Sequence, residues 1–289
     1  MIYKRIMLLL LLLNVAACSS VSSLLGQDVA PNNEAEDTRD KEANEQALES
    51  SSLTGSLSSE QLLAQSLINQ SDLYQSSKQT LASKAKRKVV TALNEFNSGA
   101  FEQSERSINQ VLVTELDLNS AVYVLAGDIA LANNKQEEAV RHYRQALKLN
   151  DHNAKAANRL AMQLRQQGEF TQAEALYSQA INAQPGQAES YRNRAVLYDL
   201  YVDEKAKALQ DYEAYSALIN YSLSLYERSE SAEFAHTNEA ETNAAPLSDK
   251  QLKLLKTNIK LVKRWLIDVG RQVDAIARAG NNGNNSGGN

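Results

Sequence analysis

Apolar and polar positions change character several times along the chain. Lys4 and Arg5 precede an unbroken apolar run from Ile6 to Leu13, too short to cross a bilayer as a helix. From Ser19 to about Ser59 the residues are mostly Ser, Glu, Asp, Asn and Gln with single apolar residues between them. No helical face there could bury much, and a disordered tether over 18–59 is expected, with a span of roughly 35 Å at about 5–6 Å times the square root of its length. Leu62, Leu63, Leu67, Ile68 and Leu81 then fall at mostly helical spacing between Ser59 and Ala85, as a cap on a larger array would. Helical periodicity continues to Tyr226, where Tyr212, Tyr215, Leu218, Ile219 and Leu223 mark an extended last helix. Residues 227–247 read as an acidic linker ending just past Pro246. Ser248 and Gln251 have the spacing of a capping box, and Leu252, Leu255, Ile259, Val262, Leu266, Val269, Val273 and Ile276 follow at alternating steps of three and four, predicting an amphipathic helix over 248–279. Residues 280–289, only Gly, Asn and Ser, make a disordered tail.

The region between carries an internal repeat. Adding 34 to Tyr123, Ala126, Gly127, Ala130, Ala139, Tyr143, Ala146 and Asp151 gives Ala157, Leu160, Ala161, Leu164, Ala173, Tyr177, Ala180 and Pro185, so small residues fall on small residues and tyrosine on tyrosine. A third copy opens at Tyr191, Arg194, Ala195 and Tyr198 and resumes one residue late at Ala208 and Tyr212, which places an insertion near Val202 and Asp203. Small residues at these points let helix backbones approach, and the tyrosines fill the spaces left between them.

This pattern resembles the tetratricopeptide repeat (TPR) family, whose repeat is a pair of antiparallel helices. The resemblance implies an all-α, TPR-type helical-hairpin solenoid over 60–226, with repeats at 120–153, 154–187 and 188–222 and a degenerate copy at 86–119 built on Val89, Ala92, Leu93, Phe96, Ser104, Ile108 and Val111. Departures are Asp151 for the closing Pro, Ala161 for the usual Gly, and Arg194 at a position that is often apolar.

The single cysteine, Cys18, follows Val15-Ala16-Ala17 directly after the apolar run. The segment has the order of a secretory signal and resembles the lipobox of bacterial lipoproteins, with Val15 where Leu is usual. That resemblance implies cleavage after residue 17, acylation of Cys18 and a lipid-anchored membrane partner. Ser19 rather than Asp after the cysteine implies, by likeness to Gram-negative lipoproteins, the periplasmic face of the outer membrane.

The net charge of −5 argues against a nucleic-acid partner, and one Cys with three His leaves no intramolecular disulfide and no Cys/His metal site. No phosphate-binding glycine loop, nucleophile elbow or paired-histidine motif occurs, so neither a cofactor nor an enzymatic activity is expected.

Function is therefore sought on the faces of the first helix of each pair, helix A. By resemblance to TPR proteins, these offer Lys155, Asn158, Arg159, Met162 and Arg165 from one copy and Arg192, Asn193 and Asp199 from the next, a cationic set suited to a carboxylate or acidic peptide of a protein partner. Two readings stay open. In one, an outer-membrane scaffold docks a partner of an envelope machine, with pilus or secretion assembly slightly ahead of peptidoglycan-hydrolase adaptors and outer-membrane protein assembly. In the other, the heptad stripe of 248–279 makes a homo-oligomer or coiled coil instead of packing on the solenoid.

Overall fold

The computed structural model describes residues 58–73, 81, 83–230 and 247–284. The expected signal segment, Cys18, the tether up to Leu57, residues 231–246 of the acidic linker and the last five residues lie outside them. Among the described residues every regular element is helical, in line with the all-α expectation. The elements are α1 Ser59–Ile68, α2 Ser83–Asn97, α3 Phe101–Thr114, α4 Ser120–Ala132, α5 Gln136–Leu149, α6 Ala154–Gln166, α7 Phe170–Ala183, α8 Ala188–Leu197, a π turn Tyr198–Val202, α9 Lys205–Glu230 and α10 Asp249–Asn284. None is long and apolar enough to cross a membrane. The chain divides into two compact units, the first holding described residues 81 and 83–156, the second 58–73, 157–230 and 247–284.

In the first unit α2 pairs with α3, α4 with α5, and α3 lies against α4. Val89, Leu93, Ile108, Val111, Val122, Leu125 and Ile129 form their core. The closest approach is at Gly127: a Cβ there would stand 2.4 Å from Cε1 of Tyr143. The fully buried Tyr143 ring therefore lies directly on the backbone of α4, and its hydroxyl donates to Asp128 at 2.7 Å. In the degenerate copy Ser104 stands where the later ones carry Ala139, Ala173 and Ala208; its buried hydroxyl is satisfied by the carbonyl of Ala92 at 2.6 Å.

The turns that close the hairpins share one chemistry. Gly99, Asn134 and Gly168 all have positive φ, at 84°, 62° and 82°. In each turn the following amide donates to a carbonyl five residues back, Ala100 to Glu95, Lys135 to Ala130 and Glu169 to Leu164. This is the left-handed cap that ends a helix and reverses the chain, a conformation that Gly adopts freely and Asn tolerates. In the third copy the left-handed residue is Asp203, at φ 61°, and the closing bond runs from Glu204 to Tyr198, six residues back. The extra residue that the sequence places near Val202 is thus taken up inside the helix, which widens to the π turn before the same cap closes it.

In the second unit α7 and α9 pack on α8, and α9 carries both α1 and α10. Its core joins Ile181, Tyr191, Val196, Tyr212, Tyr215 and Leu218 to Ile259, Val262 and Val269 of α10, and Trp265 stacks on Tyr212 with ring centroids 5.3 Å apart. The heptad stripe is thus covered within the chain along most of its length, leaving Ile276 and, beside it, Ile267 exposed. Arg194, out of place for the repeat, is held by both oxygens of the buried Asp211 at 2.8 Å and donates to Ser178 at 2.9 Å. Burial pushes the Asp211 carboxyl up, and Arg194 opposes that shift.

Two expectations are corrected here. Residues 59–85 do not form one cap ahead of the first hairpin: α2 already belongs to that hairpin, whereas α1 docks on α9. Glu60 accepts from Ser216 at 2.7 Å and Asn220 at 2.8 Å, Leu67 enters the α9 core, and the Leu73 amide donates to the Ala183 carbonyl at 2.9 Å. The apolar positions of α1 gave no sign of which helix they would meet. The last helices also run further than side-chain pattern implied, α9 through Glu230 and α10 through Asn284. Backbone hydrogen bonding extends a formed helix past the last residue that has anything to bury.

Gly127→Ala should lower the urea unfolding midpoint by the equivalent of about 1–3 kcal/mol, the cost of overpacking a rigid ring against backbone. Gly99→Ala, where nothing stands within 4 Å of the added Cβ, should cost only the strain of a positive φ.

Candidate functional site

The candidate site is the face that α6 and α8 present in the second unit. On α6, Met162 lies three or four residues from Arg159 and Asn158, and Arg165 three further on; on α8 and its π turn, Arg192 and Asn193 are adjacent and Asp199 follows two turns later.

The structure separates these residues into ties and donors. Asn193 Nδ2 donates to Asn158 Oδ1 at 3.0 Å, and both side chains are buried, at 5% and 1% exposure. The pair binds α6 to α8 and offers a ligand little. Met162 is buried too, its sulfur 3.9 Å from an Arg159 guanidinium nitrogen. Asp199 is held at 2.9 Å by Lys205, whose own pKa it raises, and accepts from Tyr212 at 3.4 Å. Lys155 belongs to the first unit, where its ammonium stands 3.8 Å from Asp128.

What faces outward is a pair of arginines on aromatic supports. Arg165 donates to the Asn193 carbonyl at 3.2 Å and lies over the Tyr201 ring at 5.6 Å, and Arg192 lies over Tyr215 at 5.8 Å. A guanidinium over a ring face is held in place while most of its N–H groups stay available. Tyr201 in turn packs on Phe170 with centroids 5.3 Å apart, so this support reaches from the π turn to α7.

Beneath them sits a residue that pattern reading treated only as filler. Tyr177 is fully buried, and its hydroxyl has no hydrogen-bond partner; neither has Nε of Arg165. Burial pushes the Tyr177 phenol up to about 12, against the opposing pull of Arg165 and Arg192. The register explains the orphan. Tyr143 bonds Asp128 of its own helix A, but 34 residues on the tyrosine is kept while the aspartate becomes Met162. In the third copy Tyr212 meets Asp199 instead. The sequence held this signal, a retained tyrosine opposite a lost acceptor, but only a structure makes the pairing visible. Tyr201 and Tyr215 had no such signal, because each lies outside the positions that the repeat compares.

Among the described residues no group of His, Cys, Asp and Glu could hold a metal ion. The arrangement is rich in hydrogen-bond donors: two guanidiniums lie over aromatic rings, near a buried phenol that keeps its proton.

No protein-family model matches the chain, and no curated protein does. Solved structures similar to it include YrrB, described as a TPR protein with an unusual peptide-binding site, at 18% identity and a TM-score of 0.41, covering 50% of this chain and 74% of that one. A MamA double mutant from RS-1 aligns at 16% identity and 0.43, covering 68% and 99%, and MamA 41-end from Desulfovibrio magneticus RS-1 at 16% and 0.43, covering 64% and 98%.

Tyr177→Phe should raise stability by about 1 kcal/mol, because it removes a buried hydroxyl that bonds nothing, whereas Tyr143→Phe should lower it by about 1 kcal/mol. Urea unfolding of the two variants side by side measures this opposition in sign.

Proposed function

We propose that the chain is a protein-docking scaffold whose α6–α8 face takes an anionic group of a partner, such as a chain-terminal carboxylate or an acidic side chain. The observation that carries this reading is the pair of buried, unbonded donors, Tyr177 Oη and Arg165 Nε, beside Arg192. Such atoms cost the free protein stability, and a carboxylate brought in by a partner would satisfy them. The aromatic rings under the arginines would contact the carbon framework that carries the carboxylate.

We further propose that the scaffold is an outer-membrane lipoprotein facing the periplasm, acylated at Cys18 and serving an envelope machine, pilus or secretion assembly first. Its support is the signal segment and the Val15-Ala16-Ala17-Cys18 motif. In this reading the lipid fixes one end, residues 19–57 give reach, and the cationic face holds the partner.

Cross-linked capture from native membranes, read by mass spectrometry, tests the first proposal. A partner retained by the wild type should be lost with Arg165→Gln plus Arg192→Gln and reduced at least tenfold with Tyr177→Phe, the variant expected to fold more stably. Equal capture by all three would overturn it. For the anchor, Cys18→Ser should abolish fatty-acid labelling and release the chain from the outer-membrane fraction; labelling that persists would refute acylation at this residue.

A further inference from the structure

The outward face of α10 is the strongest charge feature of the described residues that the docking site does not use. Lys253, Lys256, Lys260, Lys263, Arg264 and Arg271 recur at helical spacing opposite the buried Ile259, Val262 and Val269. All six are exposed, and none makes an ion pair with another described residue. Residues 248–279 hold eight Lys and Arg against Asp249, Asp268 and Asp274, so a net +5 is concentrated on one helix of a chain whose total is −5. From Lys253 to Arg278 the stripe is about 38 Å long at 1.5 Å per residue. A solvated helix face ordinarily mixes both signs in near balance. Asp268 and Asp274 lie on this exposed face too, but a stripe of this length with so large a positive excess fits an extended polyanion.

The chain supplies one. Residues 34–49 carry Glu34, Glu36, Asp37, Asp40, Glu42, Glu45 and Glu49 against Arg39 and Lys41, a net −5 that matches the stripe. The place where the described chain begins brings the two within reach. Ser58 caps α1 through its box with Gln61, and Glu60 is fastened to Ser216 and Asn220 of α9. On the same α9, one turn back at Tyr212, Trp265 from the middle of α10 stacks. The acidic segment therefore starts nine residues before a point about 6 Å along α9 from the centre of the basic helix, and nine residues extend to about 30 Å.

We infer that residues 34–49 dock in cis on the basic face of α10. The contact is electrostatic and needs no fixed fold in the acidic segment, because each exposed pair is weak and the short connection supplies the effective concentration. Docking would fold the leading segment back on the second unit, and dissociation would extend it. This inference does not depend on the α6–α8 site or on acylation of Cys18.

Zero-length carbodiimide cross-linking of the full chain in an uncharged detergent tests it, because the reagent joins a carboxylate to an amine only at contact. Links from Glu34–Glu49 should fall on Lys253, Lys256, Lys260 and Lys263 at least fivefold more often than on Lys86, Lys148 or Lys207. They should drop several-fold between 0.1 M and 1 M salt, as the screening length contracts from about 10 Å to about 3 Å. Arg264→Glu with Arg271→Glu and Arg278→Glu, which keeps every reactive lysine, should abolish the preference. An even spread over all lysines, or a preference that survives this triple reversal, would overturn the inference. Links found only between isotopically distinct copies would reassign the contact to a second chain and overturn docking in cis.

Discussion

The close approach of a tyrosine ring to helix A is the constraint from which the rest of the repeat follows. At Gly127 there is no room for a single methyl group beside Tyr143, while the later copies carry the fully buried Ala161 and Ala195, the next smallest residue, at that register. A ring packed this tightly leaves its phenol oxygen little freedom to move. Tyr143, Tyr177 and Tyr212 are all buried, whether or not an acceptor awaits the hydroxyl. Tyr143 finds Asp128, Tyr212 finds Asp199, and Tyr177 finds nothing within the chain. A packing rule repeated for stability thus leaves one buried donor without an acceptor among the described residues.

The one-residue insertion illustrates how the fold protects that register. An extra residue in a turn would shift the start of α9 and with it Ala208 and Tyr212. Widening the end of helix A into a π turn absorbs it, and the left-handed cap at Asp203 closes as its counterparts do at Gly99, Asn134 and Gly168. The widened turn also carries Asp199 and Tyr201, which hold Lys205 and support Arg165. Tyr201, which the 34-residue pattern does not compare, thus shapes the site beside Asp199, which it does.

Much of the fold was legible in the sequence because helix pairing leaves its mark at fixed spacing. The small residues at Gly127, Ala161, Ala139 and Ala173, the recurring tyrosines and the capping box at Ser248 are local signals, each readable without knowing what lies across the core. The site was less legible. Asn158 and Asn193 sit where outward donors were expected, yet each is the other's partner, and no spacing rule distinguishes a pair of amides facing solvent from a pair facing one another. The docking of α1 on α9 was beyond reach for a similar reason. Its anchors are Glu60 with Ser216 and Asn220, residues common on any helix surface, and the contact spans more than 150 positions.

Helix α9 emerges as the element on which the second unit turns. Its 26 residues pack against α8 on one side and carry α1 and α10 on others. Tyr212 joins two contacts at once, its ring meeting Trp265 and its hydroxyl Asp199, and one turn on, Ser216 holds Glu60. The pKa of Tyr212 is driven far up, first by burial and then by Asp199, which is the electrostatic signature of a phenol that stays protonated and keeps donating. Such a residue resists substitution for reasons that no single contact reveals, since loss of its ring would loosen α10 and loss of its hydroxyl would leave Asp199 to Lys205 alone. The architecture therefore ties the charge balance of the α6–α8 face to the packing of the helix that follows it. A change that displaced α10 would reach Arg165 and Arg192 through Tyr212 and Asp199, without touching the site itself.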